Sequence, residues 1–212
     1  MTEFAARRER MLERDIVGRG IDDDGVIAAM RTVPREEFVP GRLRGMAYHD
    51  APLPIARGQT ISQPYIVALM VSALDLEGGE RVLDVGTGSG YAAAVLSRLV
   101  AHVYTIERHE VLAHTAAERF ARLGYGNIEV RIGDGSRGWP EQAPFDGILV
   151  SAAAREVPGA LRDQLAVGGR LVVPVTRARA PQKLLRIVRT APDRFEEDVL
   201  TAVRFVPLVS DD

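Results

Sequence analysis

The residues best suited to chemistry lie around a glycine-rich turn. Residues 82–91 have the pattern of a short apolar strand, a turn containing Gly86, Gly88 and Gly90, and the start of an apolar helix. Glycine lets the backbone approach a ligand closely and adopt turns that a side chain would block. The stretch therefore predicts a ligand-binding loop between a strand and a helix.

The spacing of these glycines excludes two common phosphate-binding loops. The dinucleotide fingerprint G-x-G-x-x-G requires a third glycine where this sequence has Tyr91. A P-loop ends in Gly-Lys followed by Ser or Thr, and that ending is absent here. The acidic residue just before the turn, Asp84, instead favours a ligand with a cationic amino-acid end.

Two further acids follow the next two predicted strands. Glu107 comes 21 residues after Gly86, where a carboxylate can accept hydrogen bonds from both hydroxyls of a ribose. Asp134 stands beside Gly135 after the following strand, where it can accept a hydrogen bond from an exocyclic amine such as adenine N6. The three acids thus fall at the carboxyl ends of consecutive strands, the edge at which open α/β sheets bind ligands.

Each of these features has a structural alternative when taken alone. A glycine-rich turn can be a plain connection, Asp134 can be a turn residue, and Glu107 can be a helix-start acid favoured by the helix dipole. Their joint order favours a nucleoside with a positively charged tail. We therefore predict S-adenosylmethionine as the cofactor and S-adenosylhomocysteine as its product.

The elements that must position these residues alternate from residue 64 onward. Helices are predicted at 64–76, 91–100, 109–123 and 157–165, and strands at 81–85, 102–106, 128–132, 145–150 and 170–175. This alternation predicts a parallel sheet covered by helices on both faces. The β-branched segments 184–189 and 199–206 have no helix between them, which predicts an antiparallel edge.

The first 63 residues have a different texture. The highly charged residues 3–17 predict a helix, and residues 26–30 predict a short helix for which Asp22, Asp23 and Asp24 are N-cap candidates. Residues 40–63 are irregular and rich in proline. A segment this long and irregular in a compact domain is usually functional or disordered, and its apolar residues favour a functional one.

Composition excludes several classes of protein. The 212 residues are 46% hydrophobic and 26% charged, which is typical of a globular chain. The net charge of -2 has the wrong sign for a protein dominated by phosphate contacts, so we expect no nucleic-acid partner. The absence of cysteine excludes disulfides, thiolate nucleophiles and cysteine-ligated zinc.

The remaining expectations concern metals, membranes and assembly. The four histidines (His49, His102, His109 and His114) are scattered without ligand spacing, so we predict no metal. Neither a secretory signal nor a membrane-spanning apolar run is visible, which predicts a cytoplasmic protein without membrane contact. No heptad pattern is present, and we expect a monomer.

Motifs along nearly the full length resemble those of the protein-L-isoaspartate O-methyltransferases. They comprise residues 33–40, 47–55, 58–65, the loop after Asp84, 133–135, 144–146, 168–174 and 203–208. The segment Thr-Ile-Ser-Gln-Pro at 60–64 is specific to this family, whereas the glycine loop is shared by many methyltransferases. Ala56 and Arg57 depart from the pattern, because a glycine-containing turn is common there.

The resemblance implies a fold and a division of the chain. The expected fold is the α/β, doubly wound, Rossmann-like fold of class I S-adenosylmethionine-dependent methyltransferases, with a mostly parallel seven-stranded sheet whose last strand is antiparallel. Residues 1–63 are expected to form a helical N-terminal extension and a substrate-covering loop. Residues 64–212 are expected to form the methyltransferase domain.

The resemblance also implies a repair reaction. Such enzymes methylate the free α-carboxylate that an L-isoaspartyl residue exposes in a damaged protein or peptide. The ester then closes to a succinimide, which hydrolyses partly to normal aspartate. By the same resemblance Ser62 helps to place the acceptor, and Thr60 and Ile61 line the cofactor.

The chemistry agrees with the residue types. An α-carboxyl has a pKa of about 3.3 to 3.7, so the acceptor is already ionised at neutral pH and needs no general base. The leaving group is a neutral thioether, so no general acid is needed either. In-line positioning remains, for which a hydroxyl such as that of Ser62 is sufficient. Ser62 is also a candidate N-cap of the helix that follows.

Three alternatives stay open at this point. A class I methyltransferase can act on another acceptor, such as a small molecule or RNA. A protein with these residues can also bind S-adenosylmethionine without turnover. A third alternative keeps the chemistry and restricts it to one dedicated peptide.

Overall fold

The strands that meet at the predicted ligand edge belong to one large sheet. A computed structural model describes residues 2–176 and 180–211 of the chain. Its strands are β1 (Leu53–Pro54), β2 (Thr60–Ile61), β3 (Arg81–Val85), β4 (His102–Glu107), β5 (Ile128–Ile132), β6 (Phe145–Val150), β7 (Leu165–Val175), β8 (Lys183–Ala191) and β9 (Arg194–Ala202). Its α-helices are α1 (Glu3–Met11), α2 (Asp24–Thr32), α3 (Pro64–Ser72), α4 (Tyr91–Leu96), α5 (Glu110–Leu123) and α6 (Gly159–Asp163).

The large sheet has seven strands in the order β5-β4-β3-β6-β7-β8-β9. The strands from β3 to β7 pair in parallel, which confirms the predicted mostly parallel sheet. The order reverses direction beside β3, because β4 lies on one side of it and β6 on the other. Open α/β sheets bind ligands at such a switch point.

The predicted antiparallel edge is confirmed, although the strand that opposes the parallel ones is not the last strand. β8 runs antiparallel to β7, and β9 runs antiparallel to β8, so the last strand has the direction of the parallel strands. The expectation of an antiparallel last strand was therefore wrong. The physical reason is that two successive hairpins reverse the chain twice. β9 also begins earlier than predicted. Its residues Glu196, Glu197 and Asp198 are exposed at the edge of the sheet, so this part of the strand lacks the apolar pattern by which a strand is predicted.

The N-terminal part is helical, as its sequence predicts. After α1 the chain continues in a π-helical turn, Leu12–Ile16, and α2 is capped by the Asp23 carboxylate, which accepts a hydrogen bond from Val26 N–H at 3.0 Å. A small antiparallel pair, β1 with β2, closes the irregular segment. Arg57, between these strands, has a φ of 59°, a left-handed conformation that glycine adopts at lower cost.

The core packs helices against the sheet without a break between the two parts of the sequence. One buried cluster joins Met30 and Phe38 from the N-terminal part to Val82 and Tyr91 from the glycine-loop region. Helices α3 and α4 end four residues earlier than their patterns predict. In α4 the Ser97 hydroxyl donates to the Ala94 carbonyl at 2.8 Å, a local bond that competes with helix continuation. Among the described residues, no helix has the length and apolar character needed to cross a membrane.

Candidate active site

A cleft opens at the carboxyl ends of β3 and β4. Most of the predicted site residues line it, namely Thr60, Ile61, Ser62, Gly86, Gly88, Glu107 and Gly135. Asp84, Gly90 and Asp134 are not part of its lining. The structure thus brings the glycine loop, strand β2 with the adjoining Ser62, and one acid to a common surface.

Backbone geometry explains the glycines of the loop. Gly86, Gly88 and Gly90 have φ values of 96°, 53° and 89°, which L side chains rarely adopt. A Cβ at Gly90 would lie 2.6 Å from Cζ of the buried Phe120 ring. Gly90 therefore provides the close packing of helix α5 behind the loop, while Gly86 and Gly88 form the floor of the cleft.

Glu107 lies at the end of β4 with its carboxylate facing the glycine loop. Its Oε2 accepts a hydrogen bond from Gly88 N–H at 2.8 Å, and its Oε1 accepts one from His109 N–H at 2.9 Å. A carboxylate oxygen has two lone pairs, so each oxygen can accept one more hydrogen bond. The side chain is thus fixed in place and still able to accept from two hydroxyls of a ligand.

Asp84 lies under the glycine loop and is fully buried. Its Oδ2 accepts from the Thr105 hydroxyl at 2.8 Å, and Thr105 in turn accepts from the Thr87 hydroxyl at 2.6 Å. The other oxygen, Oδ1, has no hydrogen-bond partner among the described residues. Burial raises the pKa of Asp84 to about 7, the charge of Glu107 adds to the rise, and the Thr105 hydrogen bond opposes it.

The raised pKa of Asp84 predicts a dependence of stability on pH. As pH rises, the unfolded chain releases this proton near pH 4 and the folded chain only near pH 7. Folding therefore loses stability between these values, because each pKa unit corresponds to about 1.4 kcal/mol. Asp84→Asn removes this loss. We expect the free energy of unfolding of the variant to gain on the order of 2 kcal/mol relative to the wild type between pH 5 and pH 8.

Urea unfolding of the ligand-free protein at both pH values measures this difference. Parallel stability profiles for the variant and the wild type would show that Asp84 titrates in the same range in both states.

Both carboxylate oxygens of Asp134 accept hydrogen bonds from within the protein, which the spacing of the sequence did not predict. Its Oδ1 accepts from the backbone N–H and hydroxyl of Ser136 at 2.9 and 2.7 Å, and its Oδ2 accepts from Asp211 N–H at 3.1 Å. Burial raises the pKa of Asp134, but the hydrogen bonds from Ser136 and Asp211 outweigh it and the net shift is downward. The predicted contact with an adenine amine stays a prediction.

The C-terminal segment, residues 206–209, forms one wall of the cleft. The Arg108 guanidinium donates to the Val209 carbonyl at 2.7 Å and lies 3.5 Å from the Asp211 carboxylate. The spacing of residues in the sequence did not predict that this segment lines the cleft. Only the family motif at residues 203–208 drew attention to it. Ser151, another lining residue, directly follows β6, so the rule of strand carboxyl ends would have found it.

Because Arg108 fixes this C-terminal wall, we predict that a bound cofactor dissociates more slowly than it would without these contacts. Arg108→Met removes both contacts, and we expect S-adenosylhomocysteine to dissociate about two- to fivefold faster, as for a partly exposed ion pair. Stopped-flow displacement measures the rate. Arg131→Met, which removes the surface pair with Glu141, is the control and should leave the rate unchanged. Equal rates in all three proteins would mean that the C-terminal wall does not retain the ligand.

Ser62 stands between β2 and α3 at the rim of the cleft. The alternative that Ser62 caps α3 was wrong, because the N-cap residue of this helix is Gln63. The Gln63 side chain makes no capping hydrogen bond to the backbone of the helix. Asp50 performs this role from the preceding loop, where its Oδ1 accepts from Tyr65 N–H at 3.0 Å. The Ser62 hydroxyl therefore has no capping bond to hold it away from the cleft.

A second depression meets the cleft at Ser62. It shares Thr60 and Ser62 with the cleft and is otherwise lined by Pro52, Gln63, Ile66, Ala202, Val203, Arg204 and Phe205. Two ligands seated in the two depressions would meet beside the Ser62 side chain. Within the described part of the chain, no group of three or more histidine, aspartate or glutamate residues is arranged to hold a metal ion.

Comparison with known proteins identifies the family. A family model described as Protein-L-isoaspartate(D-aspartate) O-methyltransferase (PCMT) matches residues 6–212. The chain belongs to this family. The resemblance carried by the sequence motifs is thereby confirmed over almost the whole chain.

Curated isoaspartate methyltransferases match the chain from end to end. Protein-L-isoaspartate O-methyltransferase 1 of Rhodopseudomonas palustris (strain HaA2) is 56% identical over 211 residues, covering 100% of this chain and 86% of that protein. The Protein-L-isoaspartate O-methyltransferase of Brucella anthropi is 50% identical over 209 residues, covering 99% of this chain and 96% of that protein.

Solved structures of the family share the fold. A protein-L-isoaspartate O-methyltransferase superposes with a TM-score of 0.86 at 30% identity, covering 96% of this chain and 66% of that one. A putative family member from Plasmodium falciparum, solved in complex with S-adenosyl-L-homocysteine, superposes with a TM-score of 0.82 at 28% identity and covers 99% of both chains. These matches confirm the predicted methyltransferase fold.

Proposed function

We propose that this protein transfers the methyl group of S-adenosylmethionine to the free α-carboxylate of L-isoaspartyl residues in damaged proteins and peptides. The ester then closes to a succinimide, which begins the repair of the damaged site. The observation that carries this proposal is the match of the isoaspartate methyltransferase family to residues 6–212. The junction of two depressions at Ser62 gives the two substrates a meeting place.

The residues of the cleft fit S-adenosylmethionine. Glu107 has free lone pairs for the ribose hydroxyls, and the glycine loop leaves its floor open to the ligand. The buried Asp84 carboxylate has one oxygen without a partner, which favours a cation nearby. When bound, the cofactor supplies a methyl group on a positively charged sulfur. In this proposal Thr60, Ile61, Gly86, Gly88 and Gly135 line it, Gly90 and Asp84 support the loop, and Asp134 accepts from the adenine.

The protein's part in the reaction is positioning. The acceptor α-carboxylate is ionised at neutral pH, so no residue needs to remove a proton. The Ser62 hydroxyl donates to one carboxylate oxygen and turns the other toward the methyl group. Alignment of two reactants in this way contributes up to about 7 to 11 kcal/mol to lowering a barrier.

The proposal extends to organisation and setting. Residues 1–63 form the extension and the loop that cover the acceptor, and residues 64–212 form the methyltransferase domain. The enzyme acts in the cytoplasm as a monomer, without nucleic-acid or membrane partners. The net charge of -2 supports the exclusion of nucleic acid. Light scattering after gel filtration tests the monomer.

The decisive experiment compares two peptides that differ only in one linkage. Labelled S-adenosylmethionine is incubated with the protein and with a peptide containing either an isoaspartyl or an aspartyl residue. We expect base-labile label on the isoaspartyl peptide alone. If the cofactor binds but neither peptide is labelled, the protein either uses another acceptor or binds the cofactor without turnover. Labelling of several unrelated isoaspartyl peptides would distinguish general repair from a dedicated substrate.

A further inference from the structure

Arg35 is a cation buried in the interior of the protein. It lies in the single helical turn Arg35–Glu37 and is 0% exposed to solvent. Burying a charge is costly unless the charge is paired, and replacing buried charges by apolar side chains often stabilises a protein. Among the described residues, no carboxylate lies within ion-pair distance of Arg35. A role in stability alone is therefore a poor explanation for this arginine.

The hydrogen bonds of Arg35 lead to two separate loops. Its Nε donates to the Ala47 carbonyl at 2.8 Å, and its Nη2 donates to the Ser62 carbonyl at 2.7 Å. The planar guanidinium is the side chain that can bond two carbonyls at once in a fixed geometry. Arg35 thereby fixes the backbone of Ser62, whose position at the rim is not fixed by a helix-capping bond.

The same guanidinium also contacts the cofactor side of the cleft. Its Cζ lies 4.6 Å from the ring centre of Tyr91, the residue that directly follows Gly90 and opens helix α4. Tyr91 lines the cleft and is itself buried. One side chain therefore connects the loop of Ser62 with the helix that begins at the glycine loop.

We propose that Arg35 is a positioning residue of the methyl transfer, which sets the distance between Ser62 and the glycine loop. The proposal rests on the proposed function, in which Ser62 orients the acceptor carboxylate. Arg35 itself contacts neither substrate in this proposal, because it is fully buried and lines neither the cleft nor the second depression. Its effect on the reaction must pass through Ser62.

This dependence on Ser62 separates positioning from mere support of the fold. Lysine at position 35 keeps the charge and has three N–H donors, but all three lie on one compact nitrogen at the end of a flexible chain. It therefore cannot hold both carbonyls in the fixed geometry that the planar guanidinium imposes. We expect Arg35→Lys to lower kcat for an isoaspartyl peptide on the order of 10-fold, because small misplacements of reacting groups are costly. In the Ser62→Ala background the same change should lower kcat less than about twofold, because coupled residues are not additive.

The comparison requires four proteins and one control. The kcat values of the wild type, both single variants and the double variant complete the cycle, and thermal unfolding reports stability in parallel. Arg81→Lys is the control, since Arg81 is also partly buried but lies at the start of β3, at the opposite end of the strand from the cleft, where it donates to the Tyr104 hydroxyl and the Gln142 side chain. It should lower the melting temperature without changing kcat.

The outcomes are distinct. A loss of kcat that is the same in both backgrounds would overturn the positioning role and leave Arg35 as a structural residue. No loss with Ser62→Ala itself would contradict the proposed role of Ser62, and no methyl transfer by the wild type would contradict the proposed function. If Arg35→Lys does not fold, Arg35→Gln is used in the same cycle, because its amide NH2 keeps donors on one nitrogen without the buried charge.

A measurement on the wild type needs no change at position 35. In protein with ¹⁵N-labelled arginine, we expect the Arg35 side-chain resonance to shift when an isoaspartyl peptide joins the complex with S-adenosylhomocysteine. The Arg81 resonance should not shift, because Arg81 is held by Tyr104 and Gln142 at the end of β3 away from the cleft. An Arg35 resonance that does not respond to the peptide would overturn the proposed link to Ser62.

Discussion

Ser62→Ala is expected to lower kcat for an isoaspartyl peptide on the order of 100-fold while leaving the affinity for S-adenosylhomocysteine within about twofold. The reason lies in the position of the hydroxyl, which stands where the cofactor cleft meets the second depression. Because the acceptor is already ionised, its orientation is the contribution that the protein can make. Loss of the hydroxyl removes that orientation and leaves the cofactor contacts intact.

A serine at the far end of the helix that follows Ser62 provides the control. Ser72, at the other end of α3, donates its hydroxyl to the Asp23 carboxylate at 3.2 Å, away from the cleft. Ser72→Ala should keep the wild-type kcat. Methyl transfer at saturating cofactor, together with calorimetry of product binding, measures both quantities. If Ser62→Ala were as active as Ser72→Ala, another group would have to orient the acceptor.

Gly90→Ala is expected to cause the largest loss of stability and of cofactor affinity. The new methyl group would lie 2.6 and 2.7 Å from two carbons of the Phe120 ring, which is buried and cannot easily move aside. A left-handed conformation costs an alanine roughly 1 to 2 kcal/mol, and overpacking a core costs about 1 to 3 more. We expect the free energy of unfolding to fall by about 2 to 5 kcal/mol.

Gly124→Ala separates the two contributions. Gly124, after helix α5, has a φ of 76°, but a Cβ there would meet no atom within 4 Å. This variant should lose only the backbone contribution, about 1 to 2 kcal/mol, and should bind S-adenosylhomocysteine normally. Urea unfolding and calorimetry test both variants. Equal destabilisation by the two changes would show that Phe120 adapts to the added methyl group.

Local patterns in the chain were sufficient for much of the site. The alternation of apolar strands and helices predicted the parallel sheet, and the rule of strand carboxyl ends predicted that Glu107 and the glycine loop would meet. Asp23 was among the predicted caps of α2, and it caps that helix. These features depend on residues close in sequence or on a regular sheet, so spacing alone carries them.

Other features depend on segments that are distant in the chain. Arg35 contacts the carbonyl of Ser62, Asp50 caps α3, and Asp134 binds the backbone of Asp211. No periodicity relates these positions, because their contacts arise only when the helical extension and the C-terminal segment pack onto the sheet. The direction of β9 also depended on how two hairpins follow one another.

The sequence by itself thus determined the fold class, the family and most of the predicted site residues that line the cleft, because these follow from short-range patterns and from motifs. Only the tertiary structure decided which of the predicted acids line the cleft and which do not, and that Ser62 does not cap helix α3. The physical reason is that burial and hydrogen-bond partners are set by the packing of distant segments. Asp84 illustrates this, since its place before the loop is readable in the chain but its full burial is a property of the assembled fold.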